Sequence, residues 1–527
     1  MPSTEGLKAV VISDFTPGLY NATDWLVPAK GWQRMENCYP QIGGGLRAFY
    51  NADAFGPGIP STGENANTRP LGMFSSGGLY TDVVGADIYL VLYYWATGAG
   101  TPWVYRWNGT LASPSWEFLY RESSPHVLAS DSDNNPSKAS IVVFYTQPEP
   151  HTFTRTVVLM IRYDGADSTI WAVNFADAVG VLDQVDPPAK TSGSPFGAQN
   201  GSICVHQQRL VCASSGDKPE LIWSDPMAFT WYGDGGVDSP TYDNFLDVDL
   251  AKGGNNILAL FGVEPSDLLV LRMGAPMVTV QGDLQQAPVV QVADQGIATG
   301  NTGYTDFCST PYGLAFISSD GYMYITDGHT NTKLSEQLAR FEISPDFAGY
   351  GDIVYMGDFL FCPGERVYDF RTKSWFQQTA MTSHIKCGNT ADNQVIGYTA
   401  DGVLQGPDSP DGAFLVEFIP DTDTTRQSTF TCQTAPVHGT DGRLLCIRMV
   451  EVNCKSYDLN ATISCTVNGT TKTQTLRTVG RQNVRFLFSE QAQTLDATFV
   501  STSGTGDEAP SFDDVVLWTR SGHFSPN

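Results

Sequence analysis

The sequence predicts a mainly β protein, a β-propeller of about six blades with an additional C-terminal β-sandwich-like domain. Three observations predict this class. Charged residues make up only 16% of the 527 residues, whereas helical surfaces are usually built from Glu, Lys and Arg. The chain has 52 Gly and 31 Pro, which suit tight turns. Short β-branched or aromatic runs recur between these turns, as expected of strands.

The composition changes twice along the chain. Residues 1–50 are turn-rich and aromatic with little periodicity, so we expect an N-terminal arm or docking segment there. Residues 51–410 repeat short hairpins and form the predicted propeller. Residues 411–527 contain longer strands with strict alternation, which predicts the sandwich-like domain.

The propeller prediction rests on repeated hairpins. Pairs such as Asp320-Gly321 accept the positive φ that tight hairpin turns require. A Val-Tyr-x-aromatic strand end is twice followed by a turn and a tryptophan, at Val104–Trp107 before Trp116 and at Val367–Phe370 before Trp375. Hairpins about 40–50 residues apart, each too small to bury its own faces, are typical of propeller blades. A run of unrelated β-sandwiches is the alternative.

Helix signals are sparse. The best is Ser335–Phe341, because Leu334, Leu338 and Phe341 share one helical face and Ser335 is a suitable N-cap. In the C-terminal region, the strand Ala461–Val467 is predicted to turn at Asn468-Gly469.

The ten cysteines include no C-x-x-C pair. Four lie between Cys432 and Cys465, at separations that match no zinc knuckle. Cys465 alternates with Ala461, Ile463 and Val467 on the inward side of its strand. We therefore expect free thiols that pack as small core residues.

The net charge of −26 excludes a conventional nucleic-acid binder or a protein of anionic membrane surfaces, because such an acidic surface repels phosphate. The longest apolar run, Ile88–Trp95, is far shorter than the ~18 residues of a membrane helix, so no membrane insertion is expected. The first residues lack the basic start and long apolar segment of a secretory signal, which favours assembly in the cytoplasm.

No catalytic, cofactor-binding or metal-binding constellation is recognisable, so we expect a protein that is not an enzyme and has no cofactor. The seven histidines are scattered, and H-E-x-x-H, G-x-S-x-G and phosphate-loop motifs are absent from the sequence. Ser318–Met323 has the Asp-Gly of a sialidase turn but not its Thr or Trp. Asp131–Asn135 is rich in oxygen ligands but lacks the Gly and distant Glu of an EF-hand, so we expect a solvated loop.

Several segments, in their chain order, resemble the nozzle proteins (also called tail hub or stabilisation proteins) of short-tailed, podovirus-type bacteriophages. The matching segments are Phe15–Asn21, Met35–Tyr39, Gly45–Arg47, Gln208–Leu210, Ile222–Asp225 with Trp231, Asn256–Leu260, Leu268–Leu271, Val280–Asp283, Asp320–Tyr322, Asp327-Gly328, Leu334-Ser335 and Val367–Asp369 with Trp375. They span about three quarters of the chain. The start departs from the family pattern, with Gly-Leu-Tyr-Asn for Gly-Gly-Leu-Asn, and the C-terminal β domain is this chain's own.

The resemblance implies a structural protein of the virion tail, assembled in the host cytoplasm. It implies a ring homo-oligomer, a hexamer in that family, which extends the tail channel, retains the genome and conducts double-stranded DNA during ejection without sequence-specific binding. The implied partners are the head-to-tail adaptor and the tail fibre or spike proteins. An acidic channel wall would let DNA slide without sticking.

Two alternatives stay open. The first is a carbohydrate- or receptor-binding β-propeller module, in which Trp95, Trp103 and Trp107 could stack on sugars, although at hairpin spacing they also suit a blade core. The second is a propeller hydrolase or lyase using a pair of the 56 carboxylates.

Overall fold

The computed structural model describes residues 7–20, 31–50, 53–54, 68–75, 88–96, 99–107, 116–121, 126–127, 139–161, 169–174, 182–184, 203–215, 219–230, 245–248, 257–263, 267–272, 275–286, 288–292, 307–318, 320–340, 353–362, 364–378, 385–391, 394–400, 413–418, 426–438, 444–506 and 508–521. These residues form 42 strands, and none of them is in a helix. The mainly β class predicted from the sequence is confirmed.

Five strands precede the first complete blade: β1 (Lys8–Ile12), β2 (Trp32–Glu36), β3 (Cys38–Pro40), β4 (Leu46–Ala48) and β5 (Asp53–Ala54). Seven antiparallel sheets then follow one another along the chain. The first contains β6 (Thr68–Ser75), β7 (Ile88–Ala96), β8 (Ala99–Trp107), β9 (Trp116–Arg121) and β10 (His126–Val127). The second contains β11 (Ala139–Glu149), β12 (Thr152–Ile161), β13 (Thr169–Asn174) and β14 (Leu182–Gln184).

The next three sheets are four-stranded meanders. The third contains β15 (Ile203–His206), β16 (Arg209–Ser215), β17 (Pro219–Trp223) and β18 (Phe245–Asp247). The fourth contains β19 (Ile257–Val263), β20 (Asp267–Arg272), β21 (Val278–Gln281) and β22 (Val289–Val292). The fifth contains β23 (Phe307–Thr310), β24 (Gly313–Ile317), β25 (Met323–Thr326) and β26 (Asn331–Lys333).

The sixth sheet begins with β27 (Val354–Met356), β28 (Phe359–Cys362), β29 (Arg366–Asp369) and β30 (Ser374–Gln377). The seventh contains β31 (Ile385–Ala391), β32 (Gln394–Ala400) and β33 (Ala413–Phe418), and its fourth strand is β5. β5 pairs with β33 through Ala54 opposite Val416 and Asp53 opposite Glu417.

The seven sheets are the blades of a β-propeller. Contacts join the first strands β6, β11, β15 and β19 in order, then β23, β27 and β31, and β31 returns to β6. Between the fourth and fifth blades a hydrophobic cluster links Ala259, Leu269 and Leu271 with Leu314 and Phe316. The propeller prediction is therefore confirmed, but in the described part of the chain it has seven blades rather than about six. The number of blades was underestimated because the last strand of one blade comes from a distant segment. The four strands of that blade are therefore not consecutive in the sequence.

The remaining strands are β34 (Thr429–Thr434), β35 (Val437–His438), β36 (Leu445–Ser456), β37 (Thr462–Val467), β38 (Thr470–Thr475), β39 (Gly480–Ala492), β40 (Thr494–Leu495), β41 (Thr498–Thr502) and β42 (Ser511–Ser521). They build two packed sheets together with the N-terminal strands. One sheet contains β3, β4, β42, β36 and β39, with β1 also on β42, and the other contains β2, β34, β41, β37 and β38.

This pairing changes the expected domain boundaries. Residues expected to form a separate arm supply four strands to the sandwich, with Lys8–Ile12 paired along Val515–Thr519. The strand Ala413–Phe418, expected in the C-terminal domain, belongs to the propeller. The physical reason is that strands pair without regard to their separation in the chain, so strands from both ends of this chain pack around one core.

The propeller and the sandwich share a core. β30 pairs in parallel with β2 at Gln377 and Glu36, which joins the sixth blade to one sandwich sheet. Phe49 packs edge-on against Phe359, with ring centroids 5.2 Å apart, and lies 4.9 Å from the Phe376 ring. Burying such rings stabilises by roughly 1.5–3 kcal/mol each, so this junction is a packed core and not a linker.

The predicted helix at Ser335–Phe341 is wrong, since the described residues 335–340 form a turn. The Ser335 hydroxyl accepts a hydrogen bond from the Met323 backbone N–H at 2.8 Å, so it ties the segment to β25 instead of capping a helix. Leu338 is buried beside Trp375 in the core of the neighbouring blade. Tertiary packing thus outweighs a weak local helix preference.

Candidate binding surface

One end of the propeller, here called the turn face, carries the described turns that join the first to the second strand or the third to the fourth strand of a blade. In an antiparallel meander these two turns emerge at the same end. Several turn residues adopt left-handed backbone conformations, including Gln208 (φ 61°), Asp358 (φ 70°) and Lys373 (φ 55°). Such conformations are typical of tight turns between paired strands.

Neighbouring turns are tied to each other across the turn face. The Gln207 side chain of the third blade donates to the Gly282 carbonyl (2.8 Å) and accepts from the Leu284 N–H (3.1 Å) of the fourth. His329 of the fifth blade lies 4.0 Å from the Asp267 carboxylate of the fourth. Such bonds between blades hold the turns in a preorganised arrangement.

The exposed aromatic side chains belong to two blades and lie near turns of the turn face. Among the side chains that the structure describes, the exposed aromatic ones are Tyr145 (47%), Phe153 (58%) and Tyr312 (50%). Tyr145 and Phe153 flank the hairpin that joins β11 and β12, and Tyr312 lies in the turn between β23 and β24.

The Tyr312 ring has a defined setting, which we call the Tyr312 platform. It stacks on Phe370 of the sixth blade, with ring centroids 4.4 Å apart and planes at 14°. Its hydroxyl lies 3.3 Å from Asp358 Oδ1, which also accepts from the Tyr355 hydroxyl at 3.2 Å. The platform therefore combines a flat ring, two phenols and a carboxylate from two blades.

Burial and a nearby negative charge favour the neutral form of both phenols. Burial and the nearby Asp358 carboxylate raise the pKa of Tyr355 to about 12, and the same causes raise that of Tyr312. Next to the platform, buried Asp369 forms an ion pair with Arg371 at 3.0 Å. At neutral pH both phenol hydroxyl groups donate to Asp358, which leaves their oxygen lone pairs and the carboxylate as acceptors for a ligand.

Charge divides sharply between the two parts of the chain. Residues 51–425, the propeller, contain 17 Lys and Arg against 43 Asp and Glu. The residues on either side, which build the sandwich, contain 13 of each. The net charge of −26 therefore belongs to the propeller, and the sandwich is neutral.

The structure places few of the residues singled out in the sequence at one site. The side chains of Trp95, Trp103 and Trp107 and the loop Asp131–Asn135 lie outside the described residues. Ser318 and Asp320–Tyr322 lie between β24 and β25, where Asp320 Oδ2 accepts from the Tyr324 hydroxyl at 2.9 Å. The sequence analysis did not single out Tyr312; an aromatic residue in a Pro-Tyr-Gly turn was its only local signal.

The side chains of nine cysteines are described; none of them is in a disulfide, and all but Cys308 are buried. Cys465, Ala461, Ile463 and Val467 are fully buried on one face, as the alternation predicts. Within the described segments, no group of three or more His, Cys, Asp or Glu is placed to hold a metal ion. The same segments contain no helix long and apolar enough to cross a membrane.

Comparison with known proteins finds matches among solved structures. No family model and no curated protein matches the sequence. One similar solved structure is the WD40 β-propeller domain of Doa1, at 11% identity and a TM-score of 0.35, covering 71% of this chain and 97% of that one. Another is PorZ of the Porphyromonas gingivalis type-IX secretion system, at 13% identity and a TM-score of 0.36. The match covers 71% of this chain but only 43% of PorZ.

Enzymes also appear among the matches, which corrects the expectation that this chain is not an enzyme. A family-43 arabinoxylan arabinofuranohydrolase from Bacillus subtilis matches at 11% identity and a TM-score of 0.22, over 85% of this chain and 98% of that one. The prediction that excluded an enzyme was wrong, because catalytic proteins are found among the matching structures. Function has to be argued from this chain's own surface.

Proposed function

We propose that this chain is a carbohydrate-binding β-propeller module whose turn face holds the ligand. The observation that carries the proposal is the position of Tyr145, Phe153 and Tyr312, the exposed aromatic side chains of the described residues, at one end of the propeller. Aromatic rings offer large apolar contact areas at low conformational cost. Sugars present apolar C–H faces to such rings and hydroxyl groups to carboxylates and phenols.

The Tyr312 platform is the centre of the proposed site. Stacking on Phe370 holds the Tyr312 ring in place, so little conformational entropy is lost when a ligand covers its exposed side. Asp358, held between two phenols, is the acceptor for sugar hydroxyls. The strongly acidic propeller disfavours anionic glycans, so the proposed ligands are neutral.

Glycan-array binding with the full chain, followed by calorimetric titration of the best neutral oligosaccharide, tests the proposal. Tyr312→Ala should weaken binding about tenfold, equivalent to ~1.4 kcal/mol, whereas Tyr312→Phe should keep most of the affinity because it keeps the ring. Leu459→Ala, at an exposed residue of the sandwich, is the matched control. The proposal fails if no neutral glycan binds, or if Tyr312→Ala binds as tightly as the unmodified chain.

The resemblance to tail-nozzle proteins supports a second candidate function, a subunit of a phage tail ring located in the virion. The observation that favours it is the concentration of the whole net charge in the propeller, with 43 acidic against 17 basic residues. An acidic surface repels DNA, so DNA can move along it without binding to it. The proposed partners remain further copies of this chain, the head-to-tail adaptor and fibre or spike proteins.

Mass measurement of the purified protein, alone and with tail components, tests this second function. A ring of identical subunits that joins a tail complex supports it. A stable monomer that never enters such a complex contradicts it, and leaves the carbohydrate proposal standing.

A further inference from the structure

The outer face of one sandwich sheet presents an ordered set of side chains. Strands β36, β39 and β42 are 12, 13 and 11 residues long and pair side by side. Cross-strand register places Leu487, Met449 and Trp518 in one outward row. The next row contains Arg485, Glu451 and Val516, and the third contains Asn483, Asn453 and Asp514.

A continuous hydrogen-bonded chain runs through the polar members of this face. Asn453 Nδ2 donates to Asp514 Oδ1 at 2.7 Å, and Asn483 Nδ2 donates to Asn453 Oδ1 at 2.7 Å. Arg485 Nε lies 3.1 Å from Asn483 Oδ1 and 2.6 Å from Glu451 Oε1.

The chain ends at an aromatic ring. The indole N–H of Trp518 donates to Glu451 Oε2 at 2.8 Å. Because Glu451 binds both Arg485 and Trp518, it fixes the guanidinium and the indole on the same face of the sheet.

This face differs from an ordinary solvated sheet surface. β38, on the other sheet, has the sequence TTKTQT and is almost entirely exposed, as expected of a strand that only meets water. The outer face instead exposes Leu487 (58%), and Val11 (50%) of the adjacent β1. A row of apolar groups next to a row of prearranged amides and charges is expected of a binding surface.

Two ion pairs lie on this face. Arg485 pairs with Glu451, and Arg481 lies 3.3 Å from Asp513. The sandwich as a whole is neutral, in contrast to the propeller. A ligand that fits these groups is uncharged, has an apolar side for the Trp518 row and carries many hydroxyl groups for the amide row.

We propose that this sheet face is a second binding site, separate from the turn face, for a neutral oligosaccharide lying across β39, β36 and β42. The indole of Trp518 packs against the apolar side of the sugar. Asn483, Asn453 and Arg485 donate to its hydroxyl groups, and Asp514 accepts from them. The site does not depend on the Tyr312 platform.

The test uses the full-length chain, a glycan array and titration of the neutral oligosaccharide that binds best. Asn483→Ala and Trp518→Ala are expected to weaken binding at this site about tenfold each, and Asn483→Gln to recover part of the loss. Thr473→Ala on β38, an exposed strand of the other sheet, should change nothing. Circular dichroism checks that each variant is folded. If Trp518→Ala does not fold, the binding of Asn483→Ala alone tests the sheet site.

The outcomes separate this site from the turn face. Saccharide binding that survives Tyr312→Ala and is lost in Asn483→Ala supports the sheet site. Saccharide binding that is unchanged in Asn483→Ala and Trp518→Ala overturns it, even if Tyr312→Ala abolishes binding. Failure of the array to show any neutral glycan, or a protein partner captured through this face and released by Leu487→Asp, also overturns it.

Discussion

Arg47 and Glu508 form a two-pronged ion pair, 2.6 Å from Nε to Oε1 and 3.0 Å from the guanidinium Nη2 to Oε2, although they are 461 residues apart in the chain. Glu508 is only 1% exposed, and Arg426, almost as buried, lies 3.6 Å from the same carboxylate. Arg426 in turn donates to the Ala48 carbonyl. This pair therefore fastens the N-terminal strands to the C-terminal ones.

Removing the Glu508 charge should destabilise the sandwich strongly. In Glu508→Gln, the buried guanidinium of Arg426 and the partly buried one of Arg47 lose their counter-charge, and breaking a buried pair this way costs about 3–5 kcal/mol. Urea or thermal unfolding followed by circular dichroism measures the loss. The control is Arg481→Gln, which removes the exposed pair with Asp513 and should cost under about 1 kcal/mol. Equal midpoints for the two variants would contradict the role given to Glu508.

Gly313→Ala should disrupt the fifth blade. Gly313 has a φ of +130°, and a Cβ there would lie 2.3 Å from the Thr326 carbonyl oxygen, which belongs to the paired strand. The backbone has to move, because the clash is with main chain. Gly282→Ala is the control, since its φ is +96° but no atom lies within 4 Å of the new Cβ. Gly282→Ala is therefore expected to lose only the free energy of backbone strain, roughly 1–2 kcal/mol. A melting temperature for Gly313→Ala equal to or above that of Gly282→Ala would refute the argument.

Stability should fall as pH rises above 10. Burial raises the pKa of Tyr355 and of Tyr368 from 10.0 to about 12 in the folded chain. Below pH 10 both folded and unfolded states keep these protons, and the full stability is present. Between pH 10 and 12 the unfolded chain releases protons that the folded chain retains, so the free energy of unfolding decreases.

Denaturant midpoints measured at steps across that pH range check this prediction. The double variant Tyr355→Phe with Tyr368→Phe should show a shallower decline, because it removes two of the groups responsible. Midpoints that stay level or rise with pH in the unmodified chain would be inconsistent with the raised pKa values.

The buried cysteines should resist alkylation in the folded protein. Burial raises the pKa of Cys204 and Cys454 to about 12, and moves that of Cys432 well above its usual value. At pH 8 these groups are protonated, and the thiolate is the reactive form. Peptide mapping after iodoacetamide treatment should show Cys308, which is partly exposed, modified before them, and all of them modified in denaturant. Rapid native labelling of Cys432 would argue against a buried thiol.

Local chemistry made several features predictable from sequence. Asn468 and Gly469 have φ values of 47° and 78°, so the predicted tight hairpin between β37 and β38 is confirmed. The inward position of Cys465 follows from the two-residue period of a strand. The Tyr312 platform could not be predicted from the sequence, because Tyr312 and Phe370 are 58 positions apart and meet only where two blades adjoin.

By itself, then, the sequence determined the strand-and-turn character, the acidic balance and the repeated hairpins, since each depends on residue types and on neighbours a few positions away. Tertiary structure alone decided that β5 completes the seventh blade, that Lys8–Ile12 pairs with β42, and that Arg47 meets Glu508. It also separated an acidic propeller from a neutral sandwich made of both chain ends. The physical reason is that strand pairing and burial act through space, so contacts between distant segments leave no periodic signal in the chain.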